Sequence, residues 1–482
     1  MAKNKTNIAN PSTPTEDYMQ MQARFALPVA LLQGTLAMRA QSTVYMPQYP
    51  SEGSERYERR VKNSVLLESY RKSVDNLSSR PFAKEVTIDE DAGDMWREFS
   101  SNVDHAGSSL TSFAKGQLED MLTFGKSHIL VDFPDTERLK AELSKDQLTK
   151  ADENEFNLRP YFSHISPASV IGWLSKRIGG VEVLEQVRFI ETSFERVGEW
   201  EEEEVSRVHV WTSEKIDTYR KVDKNTDEWN IEGTRPNTLG LIPLITIYAN
   251  RKGFLKAFPP MEGLAHLNQK HWWMQSDQDQ IETVARVPML FFRGFDVEKL
   301  SAVEIGPYKI FGNRAHESDI KVVETSGKAV EVGAHALGRL EKQMQAMSME
   351  PLQRKPQQVT ATEMVLDEQR NMSDLEAYVV RLEKGLRDGF KLVAKWMKID
   401  LKSVPAVNIA KDDALTMGGD RELEEMRLDY TMGVIDQRTY LEHRKARGLY
   451  SEDMDIDDVI DRASQEEGDE LEPAISADPI DQ

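Results

Sequence analysis

The apolar and polar positions of residues 261–397 fall into a definite order: a helix, a strand-rich insert, a second helix, a short basic loop, and one very long helix. Pro259 and Pro260 suit the start of the first helix, on which Leu264, Leu267, His271 and Met274 form one face. The run SDQDQ at residues 276–280 then interrupts that stripe. Five consecutive polar residues within a helix predict a segment facing water or packed against like neighbours, as in a ring. Pro288 marks a change to strands, expected at residues 289–292, 308–311 and 320–323, with turns at Gly306-Pro307 and Gly312-Asn313. The second helix carries Leu337, Leu340, Met344 and Met347 at alternating spacings of three and four, and Pro351 ends it. After the loop, Met372, Leu375, Val379, Leu382, Leu386, Phe390, Val393 and Met397 draw one apolar stripe along the last helix, residues 361–397. At 1.5 Å per residue that helix runs roughly 55 Å. Such a rod belongs to an assembly more readily than to a small enzyme.

Upstream, a polar leader of about sixteen residues precedes a mostly helical stretch to Ala83, with Tyr57, Val61 and Val65 at turn-like spacing. Phe113, Leu118, Met121 and Leu122 extend a helical pattern to Gly125, after which residues 127–133 read as a strand stopped by Pro134. A charged run at residues 135–155 leads to Arg159-Pro160-Tyr161, which opens a β-rich stretch to about Ile247. There Val208 and Val210 alternate with polar neighbours, residues 201–204 read as a solvated turn, and residues 241–248 read as an apolar strand broken by Pro243. Hairpins of an antiparallel sheet are expected. Past the long helix come a strand at residues 406–409, a break at Gly418-Gly419, and short helices at 422–430 and 437–446. An acidic tail, residues 464–482, reads as disordered. The fold class expected is α+β.

Composition narrows the function. With 482 residues and 39% hydrophobic content, the chain can hold about three folded domains. A formal charge of -21 argues against a tight nucleic-acid binder, which needs a basic face. The lack of cysteine removes disulfides, thiolate catalysis and zinc ribbons, and fits a reducing compartment. The apolar stretch at residues 25–38 contains Pro28, Gln33 and Gly34 and follows a polar leader, so it reads as a packed helix and not as a membrane span or secretion signal.

Candidate chemistry is sparse. Gly125-Lys126-Ser127 suggests a phosphate loop, but the pattern needs a glycine five positions earlier, where Asp120 stands, and a strand follows where a helix should. His266 and His271, five apart on a helix, lie about 140° apart around its axis, so packing or solvent contact is their expected role. Asp277 and Asp279 diverge on the same helix and read as surface charges; His105, His128 and His164 are scattered along the chain. No nucleophile, metal ligand set or cofactor site is expected. For Arg354 and Lys355, solvating a turn and contacting a phosphate backbone are both open readings.

Several segments together resemble the portal proteins of tailed bacteriophages: LAHLNQKHWWMQSDQDQ at 264–280, Val287-Pro288, VTATE at 359–363, GKSHILVDFP at 125–134, and RPYF at 159–162. The resemblance runs from about Tyr45 to Tyr450. It implies a subunit with a mobile N-terminus (1–16), a wing (17–260), a first stem helix (261–287), a small α/β clip (288–333) and a returning stem helix (334–350). A tunnel loop (351–360), a long wing helix with its closing strand (361–415), a short helical crown (416–463) and the acidic tail would complete it.

The resemblance further implies a ring, usually of twelve subunits, at one capsid vertex of the virion, assembled in the host cytoplasm. It would be a passive channel through which double-stranded DNA is packaged and ejected. Its partners would be other copies of itself, DNA held weakly and without sequence preference, the terminase large subunit, a head-tail adaptor, and the major capsid and scaffold proteins, with no membrane and no cofactor. Gln353, Arg354, Lys355, Gln357 and Gln358 would face DNA from the tunnel loop, and Phe295, Asp296, Lys299, Arg314, His316 and Glu317 would dock partners from the clip. Rival readings are a head-tail adaptor or other structural virion protein without a conduit, and a nucleic-acid-processing enzyme, which would need a carboxylate cluster or nucleotide loop.

Overall fold

A computed structural model of the chain describes residues 10–223, 226–286, 289–293, 319–323, 327–348, 361–409, 426–432 and 434–446, together with 456, 457 and 460. The chain divides into two compact units, one of Met1–Gln357 with Asp374–Ala410, the other of Gln358–Ser373 with Lys411–Gln482.

The first unit is organised around the junction at Gly125. Helix α7 (Leu110–Phe124) is capped at its start by the Ser109 side chain, which accepts from the Ser112 N–H, and is preceded in order by α1 (Glu16–Gln33), α2 (Thr35–Ala40), α3 (Ser42–Tyr45), α4 (Ser54–Asn63), α5 (Ser69–Ser79) and α6 (Asp94–Ser101). It stops at Gly125, whose φ of 79° is the left-handed conformation that glycine adopts without a Cβ clash. Strand β2 (Lys126–Asp132) begins at once, β1 being Thr87–Ile88. The Gly-Lys-Ser tripeptide is therefore a helix end followed by a strand, and no phosphate-binding helix start exists there.

β2 is buried along its whole length. It is the middle of a three-stranded antiparallel sheet between β3 (Tyr161–Ile165) and β9 (Leu244–Tyr248). The register sets Leu130 opposite Ser163 and Leu244. Because side chains alternate across a strand, Ile129 and Val131 enter one core and Leu130 the other. The charged run between β2 and β3 forms two short helices, α8 (Thr136–Leu143) and α9 (Lys150–Glu155).

Between β3 and β9 lies a five-stranded antiparallel meander of β4 (Gly172–Ile178), β5 (Val181–Arg196), β6 (Glu202–Thr212), β7 (Lys215–Lys221) and β8 (Trp229–Pro236), in sequence order. Residues 202–204, expected in a turn, are ladder residues of β6 opposite 194–196, so the β5 to β6 turn is shorter than the acidic run suggested. Val187, Phe189, Trp211 and Ile216 of this sheet join Leu130, Ile165 and the Tyr18, Met21 and Phe25 face of α1 in one core. The other core takes Leu27, Ala30 and Leu31 from the next turns of α1, with α5, α6 and α7. A small pair, β10 (Arg251–Gly253) with β11 (Lys256–Ala257), follows β9.

Next come α10 (Glu262–Arg286), the paired strands β12 (Met289–Arg293) and β13 (Asp319–Val323), and α11 (Lys328–Met347), which begins six residues before residue 334. Two of the three strands expected in this insert are present, and residues 308–311 lie outside the described residues. Helix α12 (Ala361–Met397) carries the expected stripe: Leu375, Val379, Leu382, Leu386, Phe390 and Val393 are at most 2% exposed, whereas Met397 is exposed. Phe390 meets Phe99 of α6 at 5.3 Å and Phe162 of β3 at 5.9 Å between ring centroids, near-perpendicular in both cases. Strand β14 (Val407–Asn408) closes against β1.

In the second unit, α13 (Gln437–Ala446) forms as expected, residues 426–431 are helical, and Tyr430 stacks on Tyr440 at 5.1 Å.

Two expectations follow for the Gly125 junction. A Cβ at residue 125 would stand 2.1 Å from the Phe258 carbonyl oxygen, in a backbone conformation that alanine resists. Gly125→Ala should therefore cost about 3 kcal/mol, read as a lower urea midpoint; an unchanged midpoint contradicts the packing described. Next to it, Lys126 is wholly buried, its Nζ donating to the Leu255 carbonyl at 2.7 Å, and burial pulls its pKa down to about 7. Between that value and the ordinary one the unfolded chain binds more protons, so this group makes stability rise with pH across the interval. Lys126→Met removes that term, at most about 1.4 kcal/mol per pH unit. The variant's stability relative to wild type should be greatest near pH 7 and should decline steadily toward pH 10; a pH-independent difference would show that Lys126 titrates normally.

Candidate functional site

Gln353, Arg354, Lys355, Gln357 and Gln358, expected in a tunnel loop, and Phe295, Asp296, Lys299, Arg314, His316 and Glu317, expected to dock partners, lie outside the described residues. What the structure describes is the frame that carries both: α10 leading to β12, β13 leading back into α11, and then α12.

α10 and α11 pack antiparallel. Met347 sits against Gly263, His271 Nε2 lies 3.1 Å from Glu341 Oε1, and Gln278 Nε2 donates to the Val330 carbonyl at 3.0 Å. Partner numbers thus fall on one helix as they rise on the other. At the last contact the Gln278 side chain lies over Gly333, where a Cβ would stand 1.8 Å from its amide oxygen. The buried stripe of α11 is Leu337, Leu340 and Met344, as the spacing predicts, but Met347 is half exposed. His271 is buried and His266 exposed, which their five-residue separation requires.

The polar run at residues 276–280 has a different role from the one expected. Ser276 and Gln278 are buried within the subunit, and only Asp279 is exposed. Asp277 accepts from the Tyr49 hydroxyl at 2.6 Å and pairs with Arg60 at 3.4 Å, while Arg56 donates to Gln280 at 3.0 Å. Upstream, Asn268 accepts from the Tyr70 N–H and donates to the Leu67 carbonyl, and Gln269 donates to the Tyr45 carbonyl. The polar side of α10 is therefore packed against residues 45–70 of its own chain.

Arg60 is the centre of this contact. Its side chain is 1% exposed and grips Glu52 through both carboxylate oxygens, at 2.9 and 2.8 Å. Burial alone would raise the Glu52 carboxyl; the guanidinium and the Tyr49 N–H overcome it and hold the pKa below the ordinary value. On α4 it is this arginine that is buried, while Tyr57 and Val61 are half-buried and Val65 lies beyond the helix. A cleft of about 620 Å³ opens beside the network, lined by Tyr49, Glu52, Arg56, Asp277 and Ile281.

Residues 260–397 match a domain of unknown function, DUF4055. That span runs from just before α10 to the last residue of α12. Among curated proteins nothing matches the chain. Among solved structures, the chain is similar to a component of the virion of a native gene transfer agent particle, at 10% identity and a TM-score of 0.43, covering 79% of this chain and 89% of that one. It is also similar to a component of the neck of a native particle of that kind computed with C12 symmetry, at 10% identity and a TM-score of 0.42, covering 86% of this chain and 99% of that one. For the neck of the empty particle computed with C6 symmetry the identity is 10% and the TM-score 0.41, with 79% and 89% covered.

Three other histidines make contacts within the sheet layers. His128 is buried with Nδ1 2.9 Å from the Thr246 hydroxyl, and His164 lies on the neighbouring strand, one residue out of register and so on the opposite face, 2.7 Å from Asp120. His105 packs edge-on against Tyr161. Among the described residues no three histidine or acidic side chains are grouped to hold a metal, and no helix is long and apolar enough to cross a membrane.

Arg60→Ala would leave Glu52 buried beside an empty space, a loss of about 3 kcal/mol. The stability that Glu52 draws from the pair is present above its ordinary pKa and lost as pH falls through its depressed one. The gap between wild type and variant should therefore narrow in acid. Equal melting temperatures at neutral pH would contradict this account.

Proposed function

We propose that this chain is the subunit of a closed ring, of about twelve copies, set at one vertex of a phage-like capsid, where it forms the passive channel for packaging and ejection of double-stranded DNA. The observation that carries the reading is the order found between Glu262 and Met397: a helix of 25 residues, a strand pair, a returning helix of 20 and a rod of 37. This order coincides with the segments that resemble portal proteins in sequence. An α10 to α11 hairpin projecting toward β12 and β13 serves as stem and clip, and the segment between α11 and α12 serves as the tunnel loop.

The charge balance supports a conduit over a tight binder. A chain of net charge -21 repels the duplex it surrounds, so DNA slides with few sticking contacts. Head-to-tail contacts between identical subunits close into a ring when their rotation permits. In this reading Arg354 and Lys355 give a limited grip on phosphates, residues 295–317 meet the terminase and later the adaptor, and the ATP-driven motor is a separate protein.

Electron microscopy and native mass of the purified protein test the ring. A ring of about a dozen copies with a bore wide enough for a duplex is expected; a stable monomer, even with scaffold or capsid protein added, would sink the conduit reading and favour a head-tail adaptor. For the loop, Arg354→Glu with Lys355→Glu should lower DNA content of particles without preventing ring assembly, and full DNA content in the double variant would refute the grip.

A further inference from the structure

The longest hairpin of the meander outruns its sheet. β5 and β6 stay paired from Gln186 opposite Thr212 to Arg196 opposite Glu202. The last five rows of that ladder, from Thr192 opposite Ser206 outward, have no residue of β4 or β7 paired with them. A two-stranded arm therefore projects by about 17 Å, at 3.4 Å per residue. Its tip is ordered: the Val197 N–H donates to the Glu201 carbonyl at 2.9 Å, and the Arg196 guanidinium donates to the carbonyls of Gly198 and Glu199. The turn so held presents Trp200 at 87% exposure, more than any other large apolar side chain among the described residues, and Phe194 and Val197 are also exposed on the arm. Of the six residues 199–204, the other five are glutamates. A buried indole hides roughly 150 to 250 Å², and an apolar patch left in water beside polar residues marks a contact with another protein.

An apolar tip set among carboxylates fits a cleft that is apolar within and basic at its rim. Of three large clefts in the described residues, the one beside Arg60 sets Arg56 against Glu52 and Asp277, and one of about 550 Å³ beside β3 sets Arg235 against Asp132, Asp135 and Glu191. The third, of about 560 Å³ between β9 and α12, is basic: Arg251, Arg381 and Lys384 stand against one acid, Asp388, which Lys391 already holds at 2.8 Å. Ile245, Ile247 and Tyr248 supply its apolar wall. Arg381 is fixed there by donating to the Ala249 carbonyl at 2.8 Å, and Arg251 lies over the Tyr248 ring at 5.1 Å. Neither arginine has a carboxylate partner among the described residues, and nor has Lys384. From Lys384 the exposed cations continue along α12 at Arg387, Lys391 and Lys395, within about 80° around its axis.

We infer that Trp200 at the arm tip of one copy seats in the cleft between β9 and α12 of the next copy, with its neighbouring glutamates on Arg251, Arg381 and Lys384. The inference rests on the ring reading and deepens it by naming a contact between neighbours. Trp200 is uncovered within its own subunit, so only another chain can bury it. Tip and cleft are different patches of one surface, which makes the contact head-to-tail, the kind that generates rings. Tryptophan and arginine are enriched among the side chains that dominate such interfaces, and opposite charges around them fix the register and the partner.

The test uses the full chain, which has no cysteine of its own. Glu199→Cys with Lys384→Cys keeps Trp200 and places one thiol at the tip and one at the rim of the cleft. Mild oxidation of assembled rings should link copies into a ladder of covalent multimers on a denaturing gel, whereas each single variant stays monomeric. Monomers from the double variant, or linked dimers from a single one, overturn the head-to-tail contact. Trp200→Ala changes an exposed position, so the far-ultraviolet circular dichroism should not change. The concentration below which rings dissociate should rise at least about tenfold, as truncation of a dominant aromatic does. Rings of unaltered stability in that variant would overturn the contact and leave the arm free for a different protein. Failure of wild type to form a ring removes the ring reading itself, an outcome distinct from intact rings that ignore these changes.

Discussion

β2 has water on neither face, and most of the first unit is arranged to satisfy that condition. A strand buried on both sides needs two separate layers, and alternation of its side chains divides the work: Ile129 and Val131 require an apolar partner on one side, Leu130 on the other. α12 and the early helices supply the first layer, and the five-stranded meander supplies the second. α1 serves both, its early turns in one core and its later turns in the other. The edges of β2 are closed by β3 along residues 128–132 and by β9 along residues 126–130. The buried Lys126 at its start shows how tightly the layers meet, since its ammonium finds only a carbonyl and the face of Trp173.

Much of this was legible from spacing. The stripe of α12 was legible from Leu375 to Val393, though not at the exposed Met397, because a long amphipathic helix repeats its signal many times, and β2 was legible because an apolar run ended by Pro134 has few other readings. Local signals were weaker where a side chain's partner is remote in sequence. The run at residues 276–280 looked wet because nothing near it can pair with Asp277; its partners, Tyr49 and Arg60, are more than two hundred residues away. Residues 201–204 looked like a turn because four acids resemble a solvated loop, although long β-hairpins extend beyond their core and tolerate charge at their ends.

The two sides of the α10 and α11 hairpin are thus chemically unlike. One is occupied by residues 45–70 of the same chain through Arg60, Asn268 and Asp277. The other exposes charges of both signs, Lys328, Arg339 and Lys342 with Glu331 and Glu341.

The three contacts between α10 and α11 also have a mechanical meaning. Gly263 with Met347, His271 with Glu341, and Gln278 with Val330 clamp the helices near both ends and in the middle. At the last of these, the Gln278 amide reaches across Gly333 to the Val330 carbonyl and ties the two helices in register. Two helices fastened in this way behave as a single stiff beam. A push along such a beam is transmitted as tilt and not absorbed as shear, and it emerges where Pro259 and Pro260 join α10 to the sheet layers.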